Sequence, residues 1–366
     1  MKVECVQDKL RTIFYQAEKI SSRSLNLPVL SCILLEAKNG RFFVRSTNLD
    51  LGFQTSIPAK VEEEGVVAVP ALVLSAFIGN ILPEKSIKFR SDGQTLSIAT
   101  AKNKTTIKCL PHEDFPTIPE IEKNQSFEII AHDFIKGLKA VSYSSSISSV
   151  KPELASVFIY PEEGNVVFVA TDSFRLAEKK VKTKSLKDFE HILIPFKNVA
   201  EIVRVLESVD GVVTVRLNKN QIAFVSENTY LTSRVIDGSF PDYRQIIPKE
   251  FKTEATLLKE DLAQSLKIAN IFSDSFNQVS FSVDPQAKRL ELTTKNNNLG
   301  ENTGVLDGAL TGDPAEANFN FRYISDCLQS IDSDSVSLSF AGPSRPVVIR
   351  GVSDNSFTYL VMPMNR

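Results

Sequence analysis

Short stretches along the chain carry apolar residues at helical spacing, and each follows a run that alternates at every second position. Leu10, Ile13, Phe14, Ala17 and Ile20 share one face of a helix. Phe134, Leu138 and Val141 form a second such set, and Leu262, Leu266 and Ala269 a third. The strand-like runs MKVECV, FEIIA and EATLL lead into them. Asp8, Asp133 and Asp261 stand at the junctions as candidate N-caps, because a carboxylate there accepts free backbone N–H groups. A second helix is predicted near Pro70, near Pro195 and near Phe321. Proline suits a first turn, where its missing N–H would be unpaired anyway. The segment ALVLSAFIGNIL after Pro70 is apolar nearly all round, so its own domain or another subunit must cover it on more than one side. RFFVRSTNLDLGFQTSI and SIKFRSDGQTLSIAT alternate as antiparallel strands. Asp92-Gly93 is read as a hairpin turn with positive φ at both positions, and Lys219-Asn220 and Gly342-Pro343 take similar places further on.

These elements recur. The three aspartates are spaced by 125 and 128 residues, and Val69-Pro70 returns as Ile194-Pro195 after 125. Phe115-Pro116 returns as Phe240-Pro241 after 125, and Thr47 as Thr171 after 124. The period is far longer than a solenoid repeat, so each copy is large enough to bury its own core. The expectation is an α+β protein of three tandem domains, 1–120, 121–248 and 249–366, each with two helices packed on antiparallel sheet. Linkers are expected near 116–125 and 241–252.

Composition adds exclusions. At 42% hydrophobic and 23% charged, the chain reads as a globular protein. No apolar run reaches the ~18 residues of a bilayer span, and MKVECVQDKL is unlike a signal peptide. A cytoplasmic protein with no membrane partner is expected. Cys5, Cys32, Cys109 and Cys327 are scattered, as are His112, His132 and His191, so no metal or cofactor site is expected. Basic residues do recur at equivalent helical positions. Arg11 and Lys136 lie three residues after the aspartate, Lys139 and Lys267 six after it, and Lys197 and Arg204 lie on the second helix of the middle repeat. In a chain of net charge −2 this implies a shared basic face, with acidic residues elsewhere.

Four segments carry a family resemblance: LPVLSCILLE at 27–36, ATDSFRLA at 170–177, DGSFPDYRQIIPK at 237–249 and YLVMPM at 359–364. With them the chain resembles, over its full length, the bacterial sliding clamps, the beta subunits of DNA polymerase III. The resemblance implies a DNA clamp fold that forms a ring as a head-to-tail homodimer around duplex DNA, without sequence preference. It implies a non-enzymatic processivity factor whose partners are the polymerase III alpha subunit, the clamp loader and other clamp-binding-motif proteins. The descriptors DNA-directed DNA polymerase, transferase and nucleotidyltransferase come with that complex. The implied partner-peptide pocket comprises Leu154, Thr171, Ser173, Phe174, Arg175, Leu176, Pro241, Arg244, Ile246, Leu360, Met362, Pro363 and Met364. DNA would be met by Arg11, Arg23, Lys136, Lys139, Lys197, Arg204 and Lys267. The dimer seam would join Ala76, Phe77, Lys102, Lys104 and Ile107 to Ile271, Phe272 and Glu301.

The chain departs from the family pattern in three places. Ser173-Phe174 stands where Gly-His is common, Asn365 separates Met364 from Arg366, and KNNNLGENTG leaves Glu301 as the one acid in its segment, which predicts weak electrostatic pairing at the seam. Two other readings compete. One is an enzyme with a dispersed acid–base site using His112 or His191 with Asp114 or Glu190. The other is a scaffold that does not bind DNA.

Overall fold

The computed structural model describes residues 1–122, 125–183 and 189–364; Asn365 and Arg366 lie outside that range. Six helices appear among these residues, two per repeat: α1 (Leu10–Ile20), α2 (Ala71–Asn80), α3 (Ala131–Val141), α4 (Phe196–Leu206), α5 (Lys259–Ile271) and α6 (Phe321–Leu328). The predicted apolar stripes face inward, with Leu10, Phe14, Ala17 and Ile20 fully buried on α1. Helix α3 lies so close to the strand Asn165–Thr171 that a Cβ at Gly137 would stand 2.4 Å from the Phe168 ring. Only glycine permits that approach.

The capping expectation fails. The residue before α1 is Lys9, which makes no side-chain cap, and Asp8 stands one position earlier. Asp133 and Asp261 lie inside the first turns of α3 and α5. There a carboxylate still interacts favourably with the positive end of the helix dipole. Asp92-Gly93 does form a hairpin, but only Gly93 has positive φ, at 96°. Asp92 instead accepts the amides of Gln94 and Thr95 at 3.0 and 2.8 Å.

The strands form four antiparallel sheets. A five-stranded sheet contains Lys2–Val6 and ends at Lys104–Lys108. A four-stranded sheet ends at Gly300–Leu306. The two larger sheets cross the repeat boundaries. In the eight-stranded sheet, Leu51–Pro58 of the first repeat pairs with Thr229–Arg234 of the second. In the nine-stranded sheet, Arg175–Lys182 of the second pairs with Phe357–Val361 of the third. Consequently the chain packs as two compact units whose division falls inside the middle repeat. The first takes in Met1–Ile135 and Lys197–Asp237, the second most of the rest.

Candidate functional site

Each repeat contains the same tight turn between two paired strands. Asn48 Oδ1 accepts the amides of Asp50 and Leu51, Asp172 Oδ1 those of Phe174 and Arg175, and Asn296 Oδ1 those of Asn298 and Leu299. The three side chains recur every 124 residues. In the first two copies a threonine completes the turn: Thr47 Oγ1 donates to Leu51 O and Thr171 Oγ1 to Arg175 O, both at 2.7 Å. These bonds hold Leu49 and Ser173 at φ of 74° and 79°. Residues with short polar side chains and glycine enter this region most readily, so the turn bonds are what keep Leu49 there.

The second copy of this turn presents the candidate pocket. Thr171, Leu176 and Leu360 stand side by side across three strands. Glu178, two residues beyond Leu176, shares their face of the sheet. The segment after Ser239 is laid over that face: the Phe240 ring stacks on Phe158 at 4.7 Å, and the Tyr243 hydroxyl donates to Glu178. Pro241 lies between these anchors, and Ile246 follows them with its side chain exposed. The chain end closes the other side, where Met362 N donates to Phe174 O at 2.8 Å and Met364 N to Asn318 O at 2.7 Å. Thr171, Leu154, Leu176 and Leu360 are buried, whereas Phe174 is 61% and Met362 37% exposed. The sequence-predicted set thus divides into a closed apolar floor and an exposed apolar rim.

Two predicted members take other roles. Arg175 points to the opposite face, where Nε bonds Asp172 at 3.0 Å, Nη1 bonds Asp326 at 2.6 Å, and the guanidinium lies over the Tyr323 ring. Adjacent residues of a strand face opposite ways, so Arg175 cannot share the face of Leu176. Arg244 is tied to Glu162 and, at 2.7 Å, to the Tyr160 hydroxyl. Burial opposes a charge on Glu162, but Lys180 at 2.9 Å and Arg244 outweigh it and hold this carboxyl below its ordinary range. Burial, reinforced by the Glu178 carboxylate, pushes the Tyr243 hydroxyl well above its ordinary range, so it remains a proton donor. Phe158, Tyr160 and Glu178 were not anticipated. Only Phe240 and Tyr243 carried a signal, in the FPDYR motif.

The seven basic positions are less free than their spacing implied. Lys136 Nζ stands 2.5 Å from Asp332, and Lys197 Nζ 2.6 Å from Asp50. Arg11 donates to Ile81 O at 3.0 Å. Arg204 is half-buried, paired with Glu201 and set over the Tyr15 ring, so it braces its own unit instead of presenting a free charge. Lys139 is exposed, and Arg23 and Lys267 are exposed with no ion pair among the described residues. Nor are basic residues confined to helices. On the five-stranded sheet, the face away from its buried side carries Lys2, Lys88, Arg90 and Lys104 around a shallow cavity of about 190 Å³. Glu4 and Glu62 line the same cavity, and Lys2 pairs with Glu62 at 2.5 Å, so this patch mixes both signs of charge.

Of the seam candidates, Ile107 is only 6% exposed and belongs to the chain's own core. Ala76 is exposed on α2 beside Leu72 and Val73, and Phe77 is half-buried. The helix read as needing cover on more than one side is covered on one: Ala71, Leu74 and Ile78 are buried, while Leu72 remains 57% exposed. Ile271 is exposed with Phe276, Leu299 and Val305, three apolar residues that sequence reasoning missed, and Phe272 is half-buried. Lys102, Lys104 and Glu301 are exposed.

No group of three or more His, Cys, Asp or Glu among the described residues is placed to hold a metal ion. His112 approaches Glu113 at 3.9 Å, and the His191 ring packs on Phe158 at 5.5 Å. No helix among these residues is long and apolar enough to cross a membrane.

Models of the DNA polymerase III beta subunit match in sequence order: the N-terminal domain over residues 1–119, the central domain over 128–242 and the C-terminal domain over 244–365. The chain is 26% identical to the beta sliding clamp of Synechococcus elongatus over 371 residues, covering 100% of this chain and 99% of that protein. It is also 26% identical to that of Bacillus subtilis, covering 99% and 97%. The crystal structure of the Thermotoga maritima DNA polymerase III beta subunit superposes with a TM-score of 0.93 at 24% identity, covering 100% of this chain and 99% of that one. A Pseudomonas aeruginosa sliding clamp gives 0.94 at 22% identity over all of both chains. These likenesses also correct one expectation: the terms polymerase, transferase and nucleotidyltransferase do not describe this chain, because the subunit it matches is the clamp. Matched along its length by all three domain models, the three-domain α+β chain belongs to the DNA polymerase III beta subunit family, the beta sliding clamps, non-catalytic processivity factors of that polymerase.

Proposed function

We propose that two copies of this chain close head to tail into a ring around duplex DNA. The ring tethers the polymerase III alpha subunit, the clamp loader and other clamp-binding-motif proteins through the pocket at Leu176, Leu360, Phe174 and Met362. The domains of this reading are 1–120, 121–248 and 249–366.

One observation carries the ring: the rule by which repeats join. Each repeat has two half-sheets. The strand after the tight turn in one repeat pairs with the last strand of the other half-sheet in the next, as Phe53↔Leu231 and Ala177↔Tyr359. Applying the rule once more leaves two strands, Gly300–Leu306 and Lys104–Lys108, each at the end of its sheet. A row of unpaired N–H and C=O groups is a template for another chain, and a head-to-tail contact closes if the rotation is right. The register follows from matching rows. Ser46↔Phe53, Ala170↔Ala177 and Thr294↔Asn302 correspond, as do Ile98↔Thr105, Phe224↔Leu231 and Ile349↔Tyr359. Asn302 of one subunit therefore lies opposite Thr105 of the other, and Glu301 sits diagonally between Lys104 and Lys108. Exposed Ile271, Phe276, Leu72 and Val73 lose water there. Ile107 contributes by supporting its strand from within, not by contact.

Lys136, Lys139, Lys197, Lys267, Arg11 and Arg23 meet phosphates, which position without reading bases. In the pocket, a partner's apolar anchor reaches Leu176 and Leu360 after a rim side chain moves. Met362, unbranched and adaptable, suits that role.

Thr105→Cys combined with Asn302→Cys tests the ring. Oxidised, the pair should yield a covalent dimer that stays on nicked circular DNA through a high-salt wash after loading and leaves once the circle is cut. A chain that sediments as a monomer at micromolar concentration, or is retained equally on cut DNA, overturns it.

A further inference from the structure

The joint between the first and second repeats is built like the joint that bears the pocket. Arg234 N donates to Asp50 O at 2.8 Å, as Met362 N does to Phe174 O. Gly52 lies opposite Thr232 where Leu176 lies opposite Leu360. The chain after Phe115-Pro116 corresponds to that after Phe240-Pro241, and Phe115 packs against the buried cluster of Val29, Cys32, Leu34 and Ala68 while Phe240 stacks on Phe158. The copies diverge two residues past the proline. At the second joint Tyr243 reaches past the leucine floor to Glu178 and Tyr160. At the first joint the equivalent residue, Ile118, turns into the floor. Its side-chain carbons lie 2.8 and 3.3 Å from where a Cβ at Gly52 would stand, and that Cβ would be 3.0 Å from the Thr232 methyl.

We infer that the first joint is a second copy of the peptide site, filled in cis by Ile118. Its ligand class is that of the pocket, an extended peptide with an aliphatic or aromatic anchor, and the linker already supplies one. The inference rests on the pocket reading for the second joint and adds to it a reason for one site per subunit. Three replacements work together. The leucines become Gly52 and Thr232, which opens a hole in the floor. An isoleucine on the linker fills it. Asp50 replaces Phe174 at the rim, and its carboxylate is turned to Lys197 at 2.6 Å. An apolar peptide therefore finds neither room nor an apolar rim.

The test is peptide stoichiometry, read by titration calorimetry with a short peptide bearing Leu and Phe anchors. Wild type should bind one peptide per subunit. Ile118→Ala with Asp50→Phe should bind two, the second more weakly, and Met362→Asp added to that variant should remove the first event and leave the second. Ile118→Val, which keeps the plug, should stay at one and serves as the control for folding. If wild type binds one peptide and the folded double variant also binds one, the first joint is not a site and this inference is overturned while the pocket reading stands. If wild type binds none, the pocket reading falls with it.

Discussion

The two joints between repeats share their backbone pairing and differ in what secures it. At the first, the ion pair that crosses it, Lys197 with Asp50 at 2.6 Å, is exposed, and neutral groups supply further bonds. Thr55 meets the Thr229 hydroxyl at 3.2 Å and the Tyr230 hydroxyl donates to Pro119 O at 2.9 Å, while Asn198 Nδ2 braces the joint strand from within the second repeat by donating to Ser233 Oγ at 3.0 Å. At the second, the cations of the ion pairs are largely buried. Arg175 bonds Asp326 at 2.6 Å, and Lys179, only 3% exposed, bonds Asp354 at 3.1 Å with Asp332 at 3.8 Å. Buried ion pairs add little net stability but are costly to break singly. The joint with the buried cations is the one carrying the candidate pocket, and Arg175 follows Phe174 directly. What the contrast teaches is that strand pairing can be copied from repeat to repeat while the chemistry that fixes the adjoining loop is not.

The contrast breaks most directly at Lys179. Lys179→Ala leaves Asp354 without its cation and should lower stability by about 3 kcal/mol. Asn198→Ala, which loses a neutral bond to the first joint's strand, should cost about 1 kcal/mol. Urea denaturation measures both, and equal losses would erase the distinction.

Acid should act on the same side. Burial opposes the Asp354 charge, but the Ser356 hydroxyl and amide and the Lys179 ammonium outweigh it and hold the carboxyl below its ordinary range. A folded-state value below the unfolded one, about 3.9, contributes stability that is present above that pH and lost as pH falls through the lower folded value. Stability measured between pH 5 and 3 should therefore fall less steeply in Asp354→Asn than in wild type.

A sharper comparison uses Phe174 and Asp50, which hold equivalent places in the two turns. Phe174→Ala should weaken binding of an apolar clamp-motif peptide about tenfold, or ~1.4 kcal/mol, whereas Asp50→Ala should leave it unchanged in calorimetry. The smallest effect is reserved for DNA. Asp50→Asn frees Lys197 for a phosphate, and the plot of log affinity against log salt should steepen by about 0.9. An unchanged slope would mean that Lys197 does not face the duplex.

Much of this was legible along the chain because the relevant signals are local. Alternation marked the strands, 3.6-residue spacing marked the helices, and the 124–128 period tied them into three copies. The recurrence of Thr47 as Thr171 was visible, but not the tight turn that both threonines complete. What escaped depends on contacts between distant segments. Nothing near Leu51 announces Thr229–Arg234 as its neighbour. The parity that turns Arg175 away from Leu176 was available from alternation, but the motif grouped the two together. Ile107 was placed in the seam, yet its alternation with exposed Thr106 and Lys108 marks the side facing its own core. The lysines read as free charge because Asp332 and Asp50 lie 196 and 147 positions away from Lys136 and Lys197.

Those two aspartates change what movement along a duplex would involve. A lysine held at 2.5 or 2.6 Å by a carboxylate of its own protein already has an anion in hand. On the proposed reading, a passing phosphate would replace that anion instead of filling an empty place, and the carboxylate would return when it departs. The lysine would not be left bare between one phosphate and the next. Gain on arrival and loss on departure would both be reduced, which would flatten the energy profile along the DNA axis. The aspartates would then act as a lubricant built from charge: the grip of the proposed ring would come from its closure, and its contacts would be free to change hands.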